Sequence, residues 1–187
     1  MPKNKQAAQE PIKAFLSLPS LLAIVSSSVE VFRKEAIGYL IGFKGERKYM
    51  VQYAIPFQTA ESSATHATIN EDRVARVNEI LNILSEGLEY IGDFHSHTVF
   101  GDNPGTVIPS DADLLSTIPG ELNLICAVNI KKRAVDWHET RRGVLAGTVG
   151  KYRIEIGGYY IDAPGIGRQY DRIMVKCPAI TGLNDNG

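Results

Sequence analysis

Apolar positions along the chain recur with two periods, one typical of helices and one typical of strands. The clearest helical stripe lies near the N-terminus and consists of Leu18, Leu21, Leu22, Val25, Val29 and Phe32. This stripe predicts a helix from about residue 18 to 34. Ser17 is the expected N-cap because its hydroxyl can accept a backbone N–H of the first turn, where Pro19 is tolerated.

A second helix is predicted after a stretch of small and polar residues at 58–68, which reads as a loop. Asn70 is the expected N-cap, and Gly87 is expected to end the helix. The apolar stripe of this helix is formed by Val74, Val77, Leu81 and Leu84.

Shorter apolar runs predict strands. In chain order these runs are 12–16, 36–43, 48–56, 88–97, 122–129, 134–139, 144–149 and 152–161. A turn at 44–46 joins the second run to the third, and the basic turn 131–133 is expected to pair 122–129 with 134–139. Because strands and helices intermingle, the sequence predicts a mixed α/β fold with a single mixed β-sheet that carries helices on its faces.

Three segments show no regular period. Residues 1–10 are polar and are expected to form an N-terminal tail, and 98–109 contains enough glycine and proline to be a loop. Residues 162–187 are also rich in glycine and proline. These limits predict one folded domain over 11–161, followed by a Gly/Pro-rich C-terminal segment.

Composition narrows the class of protein. The 187 residues are enough for one domain, and 44% apolar with 22% charged residues is a globular balance. Twenty Lys and Arg against twenty-one Asp and Glu give a formal charge of −1. This balance argues against a generic nucleic-acid binder, which normally has a basic excess, and against a basic membrane-binding patch. No apolar run is long enough to cross a bilayer.

The N-terminus faintly resembles a secretory signal because Lys3 and Lys5 precede the apolar run 14–25. We reject that reading because charged residues and prolines interrupt the pattern and no clean cleavage site follows. Two cysteines, Cys126 and Cys177, are too few for a disulfide scaffold or a four-cysteine zinc site. We therefore expect a cytoplasmic protein without nucleic-acid or membrane partners.

A His-x-His pair ends the predicted strand 88–97. Because side chains alternate along a strand, His95 and His97 point to one face and Ser96 points to the other. Two imidazoles on one rigid edge form a chelating pair for a metal such as Zn²⁺. An oxygen ligand would complete a site with one open position, and Asp113 is the best candidate. Asp93 is its rival because it shares the strand face of the histidines.

Each of these features also has an ordinary structural explanation. Most His-x-His pairs are polar residues on a strand, and Ser110 with Asp113 is first of all a capping sequence for a short helix that ends near Thr117. Glu35 begins the otherwise apolar stretch EAIGYLIG and could be a solvated junction residue. Together, however, the glutamate strand, the His-x-His pair and the Ser-x-x-Asp pair are far more specific than any part. The other histidines, His66 and His138, lack a partner at useful spacing.

The glutamate stretch, the His-x-His pair and the Ser-x-x-Asp pair, in this order along the chain, resemble the motifs of the JAMM, or MPN+, family of zinc metalloproteases. Glu35 in EAIGYLIG matches the glutamate strand of the family, His95 and His97 match its His-Ser-His pair, and PSDADL supplies the matching Ser110 and Asp113. The resemblance covers about residues 12–161. It implies the MPN/JAMM fold, with an architecture like that of cytidine deaminases, and the chain looks like an archaeal relative of the proteasome-lid deubiquitinase.

The resemblance also implies roles. His95, His97 and Asp113 would bind one Zn²⁺ per chain, Glu35 would act as general base, and the Ser110 hydroxyl would donate to the oxyanion. Asp93 and Asp102 are candidate acceptors for the outer N–H groups of the histidines.

The activity that the resemblance implies is that of an isopeptidase. It would cleave ubiquitin or ubiquitin-like proteins from conjugates after their C-terminal Gly-Gly, with the proteasome or its ATPase as a further partner. Two alternatives stay open: a peptidase that processes ubiquitin-like sulfur carriers, and a non-catalytic MPN scaffold. A scaffold typically loses the metal ligands, which this chain retains.

Two departures from the family pattern lie next to the second histidine. Thr98 stands where the family usually has proline, and twelve residues, 98–109, replace the usual seven before Ser110. Apolar residues within this insertion, such as Phe100 and Ile108, predict that the loop gates access or contacts the substrate tail. The alternative is a passive spacer, since added loop length costs little entropy.

Overall fold

A computed structural model of the chain describes residues 10–57, 61–62, 67–68, 71–84, 87–162 and 169–182. The predicted N-terminal tail up to residue 9, the Asn70 cap, His66 and most of the predicted loop 58–68 lie outside the described residues. So do 163–168 and 183–187 of the C-terminal segment.

Most predicted elements are present in the described ranges. In chain order they are β1 (Lys13–Leu16), α1 (Leu18–Glu30), β2 (Ile37–Gly45), β3 (Lys48–Pro56), β4 (Glu61–Ser62), β5 (Ala67–Thr68), α2 (Glu71–Leu84), β6 (Glu89–His97), α3 (Asp111–Ser116), β7 (Leu122–Ile130), β8 (His138–Glu139), β9 (Leu145–Val149), β10 (Tyr152–Tyr160), β11 (Asp171–Lys176) and α4 (Pro178–Thr181).

Helix α1 has the predicted cap and a shorter length than predicted. The Ser17 hydroxyl accepts the backbone N–H of Ser20, as expected. The helix ends at Glu30, whereas the apolar stripe predicts an end near residue 34. The reason is a turn in which Lys34 N–H donates to the Val31 carbonyl and Arg33 adopts a φ of 83°, outside the helical region.

The main sheet closes on itself. Its strand order is β11-β1-β3-β2-β6-β7-β10-β9-β8, and β11 also pairs with β10. Seven strands, β11 through β10 in this order, therefore form a closed barrel, and β9 with β8 extends from it. The mixed α/β class is confirmed, but the prediction of a single sheet with helices on its faces was wrong about closure.

Strand β11 explains that error, because it lies in the segment where the sequence showed no period. It pairs in parallel with β1 and antiparallel with β10, and so joins the two ends of the sheet. Ile173 and Val175 of β11 are almost fully buried in the barrel core. Three apolar residues in a row between Gly- and Pro-rich stretches were too short a signal to predict this strand.

The predicted partner of strand 122–129 was also wrong. Strand β7 pairs antiparallel with β10, while the segment after the basic turn reaches β9 instead. Val135 and Thr148 hold it there, because the Val135 N–H donates to the Thr148 hydroxyl and the Thr148 N–H donates to the Val135 carbonyl. Strand β10, with Ile154 and Ile156 fully buried, gives β7 a longer apolar partner.

Helix α1 and the strands on both sides of β6 hold the part of the sheet that carries the candidate site. Leu21 and Ile24 of α1 are buried against β3, β6 and β7. Strand β6 lies between antiparallel β2 and parallel β7, so its C-terminal residues are held from both sides.

No helix among the described residues is long and apolar enough to span a membrane.

Candidate metal centre

Three side chains converge at the end of β6. The Nε2 atoms of His95 and His97 lie 3.1 Å apart. Oδ1 of Asp113 lies 3.3 Å from Nε2 of His95, and Oδ2 lies 3.4 Å from Nε2 of His97. The alternation predicted for β6 is therefore confirmed, and the aspartate predicted as third ligand is the one that joins the histidines.

These separations fit a metal ion. Ligand atoms about 2.0–2.2 Å from an ion in tetrahedral geometry are about 3.3–3.6 Å from one another. The three separations, measured to both carboxylate oxygens of Asp113, are 3.1 to 3.4 Å and close to that range, and one ligand atom from each residue lies within 4.8 Å of the other two. Two imidazole nitrogens and one carboxylate also leave a fourth position open, which is the arrangement of catalytic rather than structural zinc sites. The group can thus bind one metal ion.

A backbone carbonyl orients the second histidine. Nδ1–H of His97 donates to the Thr106 carbonyl at 2.8 Å, so Nε2 faces the centre with its lone pair. Burial acts to lower the pKa of His97, but contacts with the Asp113 carboxylate and the Thr106 carbonyl outweigh it and raise this pKa. Sequence reasoning missed Thr106, because a loop's path decides which carbonyl meets a ring.

The carboxylate of Asp113 is held by the start of helix α3. Ser110 is the N-cap, its hydroxyl accepts the Asp113 N–H, and the Ser110 N–H donates to Oδ2 of Asp113 at 2.6 Å. Burial acts to raise the pKa of Asp113, but contacts with the rings of His95 and His97 and the hydrogen bond from the Ser110 N–H keep it well below its ordinary value. Asp113 is therefore both a member of the predicted capping sequence and the predicted third ligand.

The rival ligand Asp93 lies outside this cluster. Its Oδ1 is buried without a hydrogen-bond partner in the described part of the chain, and burial raises the pKa of this carboxyl to about 6. A hydrogen bond with Tyr90 and the charge of His95 act to lower this pKa, and the charge of Glu121 acts to raise it. Asp102 is exposed in the turn of the loop after β6. Neither of these two acidic residues, which were proposed as acceptors, is hydrogen-bonded to His97, because its Nδ1–H donates to the Thr106 carbonyl.

Glu35 lies beside the ligands on the neighbouring strand segment. Ile37 faces His95 across the β2–β6 pair, so the antiparallel register brings Glu35 next to His97. The Glu35 carboxylate is close enough to contribute to the raised pKa of His97. It is half-buried and is not one of the three converging ligands. The position suits a group that acts beside a metal ion and not on it.

The loop 98–109 is anchored at one half and exposed at the other. Asn129 clamps Gly105, because its side chain accepts the Gly105 N–H and donates to the Gly105 carbonyl, both at 2.9 Å. Phe100 and Asn103 pair across a turn, and Phe100 is largely exposed. The half that carries Thr106 is thus fixed against the barrel, and the tip of the loop faces solvent.

A family model and a solved structure match the chain. The family model described as prokaryotic homologs of the JAB domain matches residues 17–139. The solution structure of protein DSY2949 from Desulfitobacterium hafniense matches with a TM-score of 0.57 and 16% identity, over 88% of this chain and 92% of that one. At this identity the likeness concerns the fold alone. No curated protein matches the chain.

The matched residues 17–139 include His95, His97 and Asp113, which converge at the centre, and Glu35, which lies beside them. The chain belongs to the family of prokaryotic homologs of the JAB domain.

Proposed function

We propose that the protein is a zinc-dependent isopeptidase that removes ubiquitin-like proteins from conjugates by cutting after their C-terminal Gly-Gly. The observation that carries the proposal is the convergence of His95, His97 and Asp113 with Glu35 beside them. A scaffold needs no such set of ligands, and three ligands with an open fourth position are typical of hydrolytic zinc sites.

Two groups of the chain have chemical roles beside the ion. A Zn²⁺ ion in this position would supply an activated water and polarise the carbonyl of the substrate. Glu35 accepts a proton from the attacking water and delivers it to the leaving amine. The Ser110 oxygen accepts the Asp113 N–H, so its own O–H is free to donate to the developing oxyanion.

The surroundings of the centre support a protein substrate. Large apolar side chains are exposed in the loop after β6 and in and after α3: Phe100, Ile108, Leu115 and Ile118. An extended tail can be held by main-chain hydrogen bonds, and glycine at its end passes a narrow entrance without side-chain clashes. We extend the proposal to a cytoplasmic enzyme that acts on ubiquitin-like conjugates and has the proteasome or its ATPase as partner.

The test is hydrolysis by the purified, zinc-loaded chain. It is incubated with isopeptide conjugates of ubiquitin-like proteins and, in parallel, with C-terminally extended sulfur carriers. Cleavage of the first after Gly-Gly supports the proposal, and exclusive cleavage of the second supports the sulfur-carrier alternative. Glu35→Gln, loaded with the same metal, is the matched control. If the wild type and this variant are equally inactive on both substrate classes, the protein is a scaffold and the proposal is wrong.

A further inference from the structure

Two hydroxyl residues alternate with the metal-binding histidines at the end of β6, with Ser96 inside the strand and Thr98 directly after it. Ser96 and Thr98 are 1% and 7% exposed, and they point away from the face that carries His95 and His97. A buried hydroxyl needs a hydrogen-bond partner. The partners of both side chains lie in the same short segment, the one that joins α1 to β2 and carries Glu35.

The first contact replaces a sheet hydrogen bond. Ser96 N–H donates to the Ala36 carbonyl at 2.8 Å, as in an antiparallel ladder. In such a ladder the Ala36 N–H would return to the Ser96 carbonyl. It donates to the Ser96 hydroxyl instead, also at 2.8 Å. The side chain between the two histidines thus fixes the backbone directly after Glu35.

The second contact fixes the backbone before Glu35. Thr98 Oγ1 accepts the N–H of Arg33 at 3.3 Å. Arg33 has a φ of 83°, a conformation that residues with a side chain seldom adopt and that surrounding contacts must hold. Proline, which usually follows the second histidine in the JAMM family, has no hydroxyl. This chain therefore has an acceptor at a position where the family pattern has none.

We propose that Ser96 and Thr98 are positioning residues for Glu35, which they hold from its two sides. The end of β6 then carries two of the three metal ligands, His95 and His97, while Ser96 and the adjoining Thr98 hold the segment of the general base. The inference rests on the proposed function for the role of Glu35, but the contacts themselves can be tested without substrate. A base displaced by about 1 Å from its working position can lose about a hundredfold in rate.

The experiment compares Thr98→Val, which removes the hydroxyl at nearly constant shape, with Thr98→Ser, which keeps it. Three quantities are measured: amide hydrogen exchange at residues 33–36, Co²⁺ affinity by titration, and kcat and KM on a cleaved conjugate. In Thr98→Val we expect exchange to rise at least fivefold and kcat to fall tenfold or more, with KM and Co²⁺ affinity within twofold. Thr98→Ser should recover most of both changes.

Ser96→Ala should act in the same way, with faster exchange at Ala36. Co²⁺ binding should persist, because main-chain pairing with β7 holds His97 opposite Ala127. Thr148→Val is the control for general destabilisation, because it removes a hydroxyl on β9, three strands away from β6 in the sheet, that accepts the Val135 N–H and donates to the Val135 carbonyl. That variant should leave kcat unchanged.

The outcomes separate the inference from the proposed function. If Thr98→Val and Ser96→Ala leave both exchange and kcat unchanged, or if Thr98→Val lowers Co²⁺ affinity in proportion to kcat, the positioning role is wrong. If the wild type cleaves no conjugate, the proposed function fails, and the exchange data alone decide whether the two hydroxyls hold the Glu35 segment.

Discussion

Two of the three ligand side chains, His97 and Asp113, make a second contact that fixes the ligand atom. His97 uses Nδ1 on the Thr106 carbonyl and thereby aims Nε2 inward, and Asp113 uses Oδ2 both on the Ser110 N–H and towards His97. Such outer contacts align a ligand before the metal arrives and reduce the ordering cost of binding. At this scale the site is preorganised by the ordinary hydrogen bonding of a strand end and a helix cap.

Removing one imidazole should abolish metal binding. His97→Ala leaves two ligands, and we expect the zinc content of the purified protein to fall from one per chain towards zero, as measured by elemental analysis. His138→Ala is the control because that histidine is exposed and bonded to the Asp136 carbonyl. Full zinc retention in His97→Ala would show that the ligand assignment is wrong.

Glu35 should be needed for turnover and not for the metal. Glu35→Gln keeps the size of the side chain and removes its ability to take a proton, so we expect kcat to fall about 10²–10⁴-fold. Zinc content and thermal stability should stay near those of the wild type, as measured by elemental analysis and calorimetry. A variant that hydrolyses conjugates at the parent rate would rule out Glu35 as the base.

The ligands could be predicted from the sequence because each obeys a local rule. Alternation along a strand placed His95 and His97 on one face, and the capping pattern placed Asp113 in the first turn of a helix. Thr106 and the hydroxyl contacts of Thr98 follow no such rule, because they depend on how a loop and a turn approach β6. Asp93 also follows the alternation of β6, but its carboxylate lies outside the cluster. Sharing a strand face with the histidines is therefore not enough, because the ligand oxygen must also lie close to both Nε2 atoms.

The groups of the centre that do not lie on β6 are carried by short elements, which include helix α3 and the loop before it. Helix α3 has six residues and no buried side chain, so the capping box at Ser110 contributes a large share of its stability. The loop before it is clamped by Asn129 at Gly105 and presents an exposed tip at 100–103. At this scale the centre is a rigid strand end that meets a small helix and a loop held at one point.

Ser110 should have separable effects on stability and rate. Ser110→Ala removes the cap, which costs about 1 kcal/mol, and removes the proposed oxyanion donor, which costs about 10²–10³ in kcat. Ser17→Ala is the matched control, because Ser17 caps α1 through the Ser20 N–H and lies outside the proposed centre. Denaturant unfolding and kinetics should show a stability loss in both variants and a rate loss in Ser110→Ala alone. Equal rate losses would reduce Ser110 to a structural role.

The loop tip should matter to substrate and not to the metal. Deleting residues 99–103 restores the usual seven-residue spacing and keeps Thr106 and the Gly105 clamp. We expect kcat or KM to change several-fold, because the exposed apolar Phe100 is lost from the loop that follows the metal ligands, while zinc content stays at one per chain. Phe100→Ser tests the same contact without changing loop length. Kinetics unchanged by both variants on several ubiquitin-like substrates would identify the insertion as a spacer.

At the scale of the whole molecule, closure of the barrel depends on a strand that the sequence did not reveal. Helix stripes and strand alternation are local signals, so they predicted most of the elements. The pairing of β7 with β10 and of β11 with both β1 and β10 is decided between residues far apart in the chain. That is why the fold class was predictable and the closed topology was not.

The last prediction tests whether β11 belongs to the cooperative core. Ile173 is 1% exposed and faces Gly158 of β10, so Ile173→Ala should leave a cavity between two strands and cost about 2–5 kcal/mol of unfolding free energy. Its neighbour Arg172 is exposed, and Arg172→Ala should change stability by less than about 0.5 kcal/mol. Urea unfolding of the two variants, followed by circular dichroism, measures both values. A cost below about 0.5 kcal/mol for Ile173→Ala would mean that the folded domain ends near residue 161, as the sequence pattern alone predicts. A large cost with one cooperative transition would make β11 part of the unit that holds β6, and hence the metal ligands, in place.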